Sequence, residues 1–286
     1  MPELPEVDAL AHFLTEQTAG ARITRAELAA FSALKTFDPP LDAVQGRVVS
    51  GWSRRGKYLI ADLDGMLLVF HLARGGWVQW RELLTPAKPK MAKGPLALRL
   101  GFEGGAGADV TEQGTEKRLA IWVVRDLEDI EGVARLGPDP LEAGFDVAAL
   151  GAVLAGRTSN LKKVLTDQSV LAGVGNAYSD EALHVAKLSP FKPAGKLSPA
   201  ELERLHHALV TVLSDASARS AGLPAAGLKG EKKSGMRVHG RTGQPCPECG
   251  DTVREVSFAT KSLQYCPTCQ TGGKPLADRR LSRLLK

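Results

Sequence analysis

Cys246, Cys249, Cys266 and Cys269 are the only cysteines of the chain, and they fall as two Cys-x-x-Cys pairs with sixteen residues between them. A Cys-x-x-Cys turn holds two thiolates about one tetrahedral edge apart, so two such turns close a four-sulfur shell with no position left for water. The spacing therefore predicts one structural zinc ion (Zn) and a small C-terminal finger. The rival readings are weaker: paired disulfides need an oxidising compartment, and a redox dithiol needs only one pair. Between the pairs, Val253, Val256, Phe258, Leu263 and Tyr265 suit two short strands joined over 259–262, a β-hairpin with Lys261 near its tip.

With 286 residues and 43% apolar content, the chain can bury a real core, and its length predicts more than one domain. It contains no apolar run of about eighteen residues. The opening Met1-Pro-Glu-Leu-Pro-Glu-Val7 lacks the basic start and apolar stretch of a secretory signal. The expectation is a cytoplasmic protein with no membrane partner. A net charge of +5 is mild for a nucleic-acid binder. Lys88, Lys90, Lys93, Lys229, Lys232 and Lys233 sit in Gly/Pro-containing stretches, which by themselves fit a solvated surface equally well.

Pro5 suits the first position of a helix with Glu6 and Asp8 in its first turn, and Val7, Leu10, Ala11 and Leu14 recur at helical spacing up to Gly20. From Val48 to Leu100 the pattern is that of strands, clearest in 57–63 and 66–72 around Asp64-Gly65, a two-residue hairpin signal. That register pairs Leu63 with Met66 and Tyr58 with His71, bringing Lys57 and His71 to the same end of the hairpin. Strict alternation puts them on opposite faces, so a bulge or the exit at Arg74-Gly75-Gly76 is needed for convergence. Arg118 to Val124 reads as another strand, and Leu136 to Pro140 as the turn closing this domain.

The second half reads as helical, over 160–167 and 177–186 around Gly173-Val-Gly-Asn176. A further helix opens on Ser198-Pro-Ala-Glu201, a capping box. Residues 222–235 read as a Gly/Lys-rich loop, and 275–286 as a basic tail. No internal repeat is present.

If Met1 is removed, the nitrogen of Pro2 becomes a secondary amine. An α-amino group titrates near ~8, well below a lysine, so a useful fraction is nucleophilic at neutral pH. Glu3 follows at once and could act as general acid and base. The plainer reading is a rigid helix lead-in with acids near a helix N-terminus. Lys57 after Ser53-Arg-Arg-Gly56 suits phosphate contact or a solvated strand end. His71 alone fits a structural histidine. Gly173 and Gly175 can take positive φ and present backbone N–H groups, with the Asn176 amide, to a phosphate, or they only turn the chain.

Taken together and in order, Met1-Pro-Glu-Leu-Pro-Glu-Val7, Gly56-Lys-Tyr-Leu59, Phe70-His-Leu72, Leu136-Gly-Pro-Asp-Pro-Leu141, Asp167-Gln168 with Gly173-Val-Gly-Asn176, Gly240-Arg-Thr-Gly243 and Tyr265-Cys-Pro-Thr-Cys-Gln270 resemble the formamidopyrimidine-DNA glycosylase and endonuclease VIII family over nearly the whole chain. The resemblance implies an α+β multidomain fold: an N-terminal β-sandwich with flanking helices (1–137), a helix–two-turn–helix domain (138–235), a β-hairpin zinc finger (236–272) and a basic tail (273–286). It implies a monomeric base-excision enzyme acting on double-stranded DNA with damaged bases or abasic sites. Pro2 would be the nucleophile, Glu3 the general acid/base and Lys57 a phosphate-contacting residue needed for the lyase step. His71, Arg74, Asn176 and Lys261 would contact DNA, with Glu6 and Glu181 near the site. Excision of an oxidised base through a Schiff base would be followed by β- and δ-elimination, with the base flipped out.

Departures from that family lie where a lesion would be read. Lys261 stands where an arginine is expected, which keeps the charge but loses the bidentate fork. Arg74 stands where a bulky apolar wedge is usual, the Asp-Pro-Arg-Arg-Phe-Gly loop is missing between Val124 and Gly137, and the 222–235 loop is short. Two rival functions follow: a protein that binds damaged or abasic DNA with weak or lost excision, and a zinc-ribbon protein whose finger holds a protein partner.

Overall fold

The computed structural model describes residues 1–87, 94–258 and 262–277. The chain folds as two compact units, Met1–Leu136 with Ser217–Gly230, and Gly137–Ala216 with Glu231–Lys286, of which residues up to 277 are described.

The first unit opens with α1 (Leu4–Thr18), whose N-cap is Glu3, one residue ahead of the start expected from Pro5. Proline in the first turn lacks only an N–H that has no helical partner anyway. Eight strands follow: β1 (Ile23–Leu28), β2 (Gly51–Arg55), β3 (Tyr58–Asp62), β4 (Leu67–His71), β5 (Gly76–Arg81), β6 (Leu96–Phe102), β7 (Gly107–Glu112) and β8 (Ala120–Val124). They form two antiparallel sheets, ordered β1-β6-β7-β5 and β2-β3-β4-β8. One core joins Ile23, Leu98, Leu100 and Val110 of the first sheet to Leu59, Leu68, Phe70 and Ile121 of the second, with Val7, Leu10 and Leu14 of α1. This is the expected sandwich with a flanking helix. Two hydroxyls lock α1 onto β2: Trp52 donates its backbone N–H to Thr15 Oγ1 and its indole Nε1–H to Thr18 Oγ1, both at 2.8 Å.

The β3–β4 hairpin has the register read from Asp64-Gly65. Tyr58 faces His71, Leu59 faces Phe70, and the Leu63 N–H donates to the Met66 carbonyl at 2.8 Å. Both turn residues have positive φ, 55° and 76°, as a primed hairpin turn requires. On the outer face of this sheet Tyr58, Ile60, Val69 and Trp122 pack with Ile130 and Val133. Val133 lies in the short α2 (Glu131–Ala134). The 124–137 stretch thus serves as a cover for that face, and a Cβ at Gly132 would stand 2.2 Å from the Tyr58 hydroxyl.

Beyond this the chain is helical: α3 (Val147–Leu154), α4 (Leu161–Leu165), α5 (Asn176–Val185), α6 (Pro199–Ser220) and α7 (Leu228–Ser234). Each of the first two has a side-chain cap, Asp146 on the Ala149 N–H at 2.7 Å and Asn160 on the Lys163 N–H at 2.9 Å. The reciprocal box expected at Ser198 and Glu201 is formed. Between α4 and α5 the Gln168 amide spans the turns, accepting from the Gly173 N–H at 3.0 Å and donating to the Val174 carbonyl at 2.7 Å. Gly173 uses the left-handed region (φ 83°). Gly175, expected to share that freedom, is instead an extended N-cap (φ −130°). An N-cap needs extended backbone, because its carbonyl already opens the helix.

The 222–235 stretch is not the loop expected from its glycines and lysines, since α7 occupies half of it. Ala225 and Leu228 are buried in the sandwich core, Trp77 Nε1–H donates to the Ala225 carbonyl at 3.1 Å, and the Lys229 ammonium lies 4.7 Å from the centre of the Trp77 ring. Burial of Leu228 and the cation–π contact offset the helix-weakening Gly230.

Finally the finger consists of β9 (Arg254–Ser257), β10 (Ser262–Tyr265) and α8 (Pro267–Thr271). Ser257 faces Ser262 and Arg254 faces Tyr265. The start of the tail is anchored on it, with the Leu276 N–H donating to the Tyr265 hydroxyl at 2.7 Å. Lys261, Lys88, Lys90, Lys93 and the tail beyond 277 lie outside the described residues. Among the described residues no helix is long and apolar enough to cross a membrane.

Candidate active site and metal centre

At the amino end, Pro2, Glu3 and Glu6 are buried while Met1 is exposed. Glu3 and Glu6 form a capping box: the Glu3 N–H donates to Glu6 Oε2 at 2.8 Å, and the Glu3 carboxylate accepts the Glu6 N–H. Glu3 thus has a rigid backbone and a side chain with one oriented acceptor. Glu6 is the group that fixes the Glu3 backbone.

Lys57 stands between Gly56 (φ 55°) and β3 and is 7% exposed. His71 ends β4, its ring 5.0 Å from that of Tyr58. Burial and then the Lys57 charge together lower the His71 pKa to about 4. The left-handed Gly56 releases Lys57 from strand alternation. His71 is accordingly neutral at neutral pH and can donate or accept a hydrogen bond but carries no charge. Replacing Lys57 by glutamine should raise the His71 pKa from about 4, while burial keeps it below 6.5; imidazole NMR titration reads the shift. Because the folded value lies below the unfolded one, the unfolded chain binds the proton first. The His71 contribution to stability is therefore intact above about pH 6.5 and lost as pH falls toward about 4.

Arg74 is exposed on a tight return from β4 to β5, closed by the Gly76 N–H donating to the Leu72 carbonyl at 2.8 Å. The two glycines after it are obligatory. A Cβ at Gly75 would lie 2.2 Å from the Gln113 carbonyl oxygen, and one at Gly76 would lie 2.1 Å from that of Leu72.

In the second unit, Asn176 begins α5 and its Nδ2 donates to the Ser262 carbonyl at 2.8 Å, so part of its amide orients the finger hairpin. Glu181 is buried, and its carboxylate accepts three consecutive backbone N–H groups, from Arg237, Val238 and His239, at 2.7, 2.9 and 2.8 Å. Burial raises its pKa, the three amides opposing. Glu181, expected near the chemistry, has its carboxylate occupied in holding the non-strand segment 237–239 that leads into the finger. Glu181→Ala would strand three amide donors and is expected to destabilise this unit by ~3 kcal/mol or more, at ~1–3 per buried unpaired group; hydrogen exchange at residues 237–239 checks it.

Beside it lies a buried group that sequence reasoning missed. Lys162 Nζ donates to Asp180 at 2.5 Å, to Ser179 at 2.8 Å and to the Asn176 carbonyl at 2.6 Å. Asp180 also meets His239 Nδ1 at 2.8 Å and the Gln264 N–H at 3.2 Å. The only signal was a run of three polar residues, Ser179, Asp180 and Glu181, within 177–186, a stretch that is otherwise largely apolar.

The four cysteine sulfurs lie within 4.8 Å of one another, with Cys249 and Cys266 at 3.4 Å and Cys246 and Cys269 at 3.9 Å. Zinc–sulfur bonds of about 2.3 Å require tetrahedral edges of about 3.8 Å, so the shell fits one ion. Burial pushes the Cys266 thiol up to about 11 and Cys269 higher, so without a cation both stay protonated at neutral pH. The Asp251 carboxylate ties the two knuckles together by accepting from the Thr268 N–H and hydroxyl at 3.2 and 2.8 Å. Zinc here is structural, since four thiolates fill its coordination.

A β-sandwich headed by a buried Pro-Glu cap, a two-turn helical pair and a four-cysteine hairpin define a zinc-finger protein of the helix–two-turn–helix class. Residues 1–117 match the formamidopyrimidine-DNA glycosylase N-terminal domain, 136–223 its H2TH domain, and 243–272 the zinc finger found in FPG and IleRS. The chain is 34% identical over 264 residues to the formamidopyrimidine-DNA glycosylase of Moorella thermoacetica, covering 90% of this chain and 94% of that one. It is 69% identical over 151 residues to an uncharacterized formamidopyrimidine-DNA glycosylase-like protein of Mycobacterium tuberculosis, 53% of this chain and 94% of that protein. The fold superposes on the Lactococcus lactis Fpg bound to abasic-site DNA with a TM-score of 0.83 at 26% identity, covering 94% and 99% of the two chains. It also superposes on MutM (Fpg) of Thermus thermophilus with 0.80 at 32%, covering 96% and 100%. The chain belongs to the formamidopyrimidine-DNA glycosylase family.

Proposed function

We propose that the protein is a bifunctional DNA glycosylase and abasic-site lyase of base-excision repair, acting as a single chain on double-stranded DNA that carries oxidised bases or abasic sites. The observation that carries this reading is the amino-terminal capping box. It buries Pro2 and Glu3 side by side on the end of α1 and holds the Glu3 backbone through Glu6.

Once Met1 is removed, the Pro2 nitrogen attacks the sugar C1′. The bond from C1′ to the base breaks with its electron pair leaving on the base, which takes up the proton lost by the Pro2 nitrogen. The C1′–O4′ bond then opens with its pair on O4′, which Glu3 protonates, leaving the iminium between C1′ and the Pro2 nitrogen. The resulting iminium acidifies the C2′ hydrogen, so the 3′ phosphate departs by β-elimination and the 5′ phosphate by δ-elimination. Lys57 supplies positive charge to a phosphate, neutral His71 a hydrogen bond, and exposed Arg74 a group able to enter a duplex. Asn176 and Lys261 are assigned to the backbone beside the flipped nucleotide.

Borohydride should reduce the iminium and trap the chain on abasic DNA, and Pro2→Gly should trap more slowly and weakly. Absence of a covalent complex, or full-rate trapping by Pro2→Gly, would overturn the proline nucleophile. Tight binding without strand cleavage would favour the alternative of a damage-binding protein. Excision measured across oxidised purines and pyrimidines then assigns the base.

A further inference from the structure

The row of side chains that α5 presents to the finger does not end at Asp180 and Glu181. His184 follows at helical spacing, is 1% exposed, and places Nε2 3.2 Å from Cys246 Sγ. His184 is four residues after Asp180 and three after Glu181, so it shares a helical face with each of them. Asp180 takes His239 and the Gln264 amide, and Glu181 takes the three amides 237–239. His184 alone touches a metal ligand.

We propose that His184 is an outer-sphere positioning residue of the zinc site, its Nε2–H donating to the Cys246 thiolate so that the metal is held longer.

The hydrogen-bond inventory selects this tautomer. A zinc-bound cysteine has lost its proton and can only accept, so the hydrogen between ring and sulfur belongs to the ring. The other ring nitrogen, Nδ1, is buried and finds no hydrogen-bond partner among the described residues. With the proton on Nε2, the stranded atom is a bare acceptor, and the one donor of the neutral ring is used. With the proton on Nδ1, a buried donor would go unpaired while a ring lone pair faced a sulfur lone pair, two penalties in place of one. Shape alone does not call for histidine here, because the neighbouring cluster of Val238, Cys246, Val253 and Cys266 is apolar and a leucine would pack against it. A donor to a thiolate draws charge from the sulfur and fixes its direction, and loss of such outer partners typically costs metal sites 10–100-fold in affinity.

The test uses the full-length zinc-loaded chain and the variants His184→Leu and His184→Gln. Release of zinc to an excess of chelator should be about 10–100-fold faster in His184→Leu and partly restored in His184→Gln, which keeps an N–H donor. With cobalt in place of zinc, the sulfur-to-metal charge-transfer band should move to lower energy in His184→Leu, a change that a mere packing defect would not produce. Unchanged release and an unchanged band in His184→Leu would overturn the proposal, as would equal losses in both variants. Should the leucine variant fail to fold, the long-range proton–nitrogen spectrum of the unaltered protein decides. A protonated Nε2 with a bare Nδ1 supports the assignment, and a protonated Nδ1 rejects it.

Discussion

Glu3→Gln is expected to lower base excision by about 10²–10⁴-fold, the usual worth of a positioned general acid or base, while leaving the fold intact. The structure makes this substitution informative. The Glu3 carboxylate also caps α1 by accepting the Glu6 N–H, and a glutamine oxygen can still accept that bond. What the amide cannot do is give up and recover a proton. Glu3→Ala would instead remove the cap as well, at about 1 kcal/mol, and mix the two effects. Single-turnover excision together with the thermal midpoint separates them: an unchanged rate in Glu3→Gln would end the acid/base assignment. Glu6→Gln is the matched control. It preserves the acceptor for the Glu3 N–H at the same distance of approach, so excision should stay within a few-fold.

Stripping the zinc is expected to abolish binding to abasic duplex DNA while the sandwich stays folded. Structural zinc contributes about 10–16 kcal/mol to small metal domains, more than the finger's two short strands can supply. The four tryptophans, Trp52, Trp77, Trp80 and Trp122, all lie in the first unit, so their emission reports that unit alone. Chelation should leave the emission and its melting transition in place while fluorescence anisotropy with labelled DNA drops to baseline. Undiminished DNA affinity after complete metal removal would detach the finger from the binding role. Lower pH should act in the same direction as chelation, because the Cys266 and Cys269 thiols, both shifted upward, must release protons for the metal to bind.

Much of the fold was legible from neighbouring residues. The zinc ligands, the Ser198–Glu201 box, the Asp64-Gly65 turn and the register placing Tyr58 opposite His71 all emerged as read. Each depends on chemistry repeated over a few residues or on a symmetric spacing. Where sequence reasoning went astray, a distant partner or the start of an adjoining element had overruled a residue's own preference. The Gly/Lys-rich stretch at 222–235 forms a helix because Leu228 has a core to enter and Trp77, 148 residues before Ala225, has a carbonyl to bond. Gly175 gave up positive φ because a helix begins directly after it.

The same division holds for the candidate site. By itself the sequence determined the metal, its four ligands, and an amino terminus whose Pro-Glu motif resembles one family, since these are statements about which groups lie side by side on the chain. Only the tertiary structure decided which polar groups are occupied by one another. Glu181 spends its carboxylate on amides 56 to 58 residues away, Lys162 is buried against Asp180, burial and then the Lys57 charge lower the His71 pKa, and His184 meets Cys246 across 62 residues. A buried charge or donor must find a partner wherever the fold supplies one, and no local pattern records where that will be.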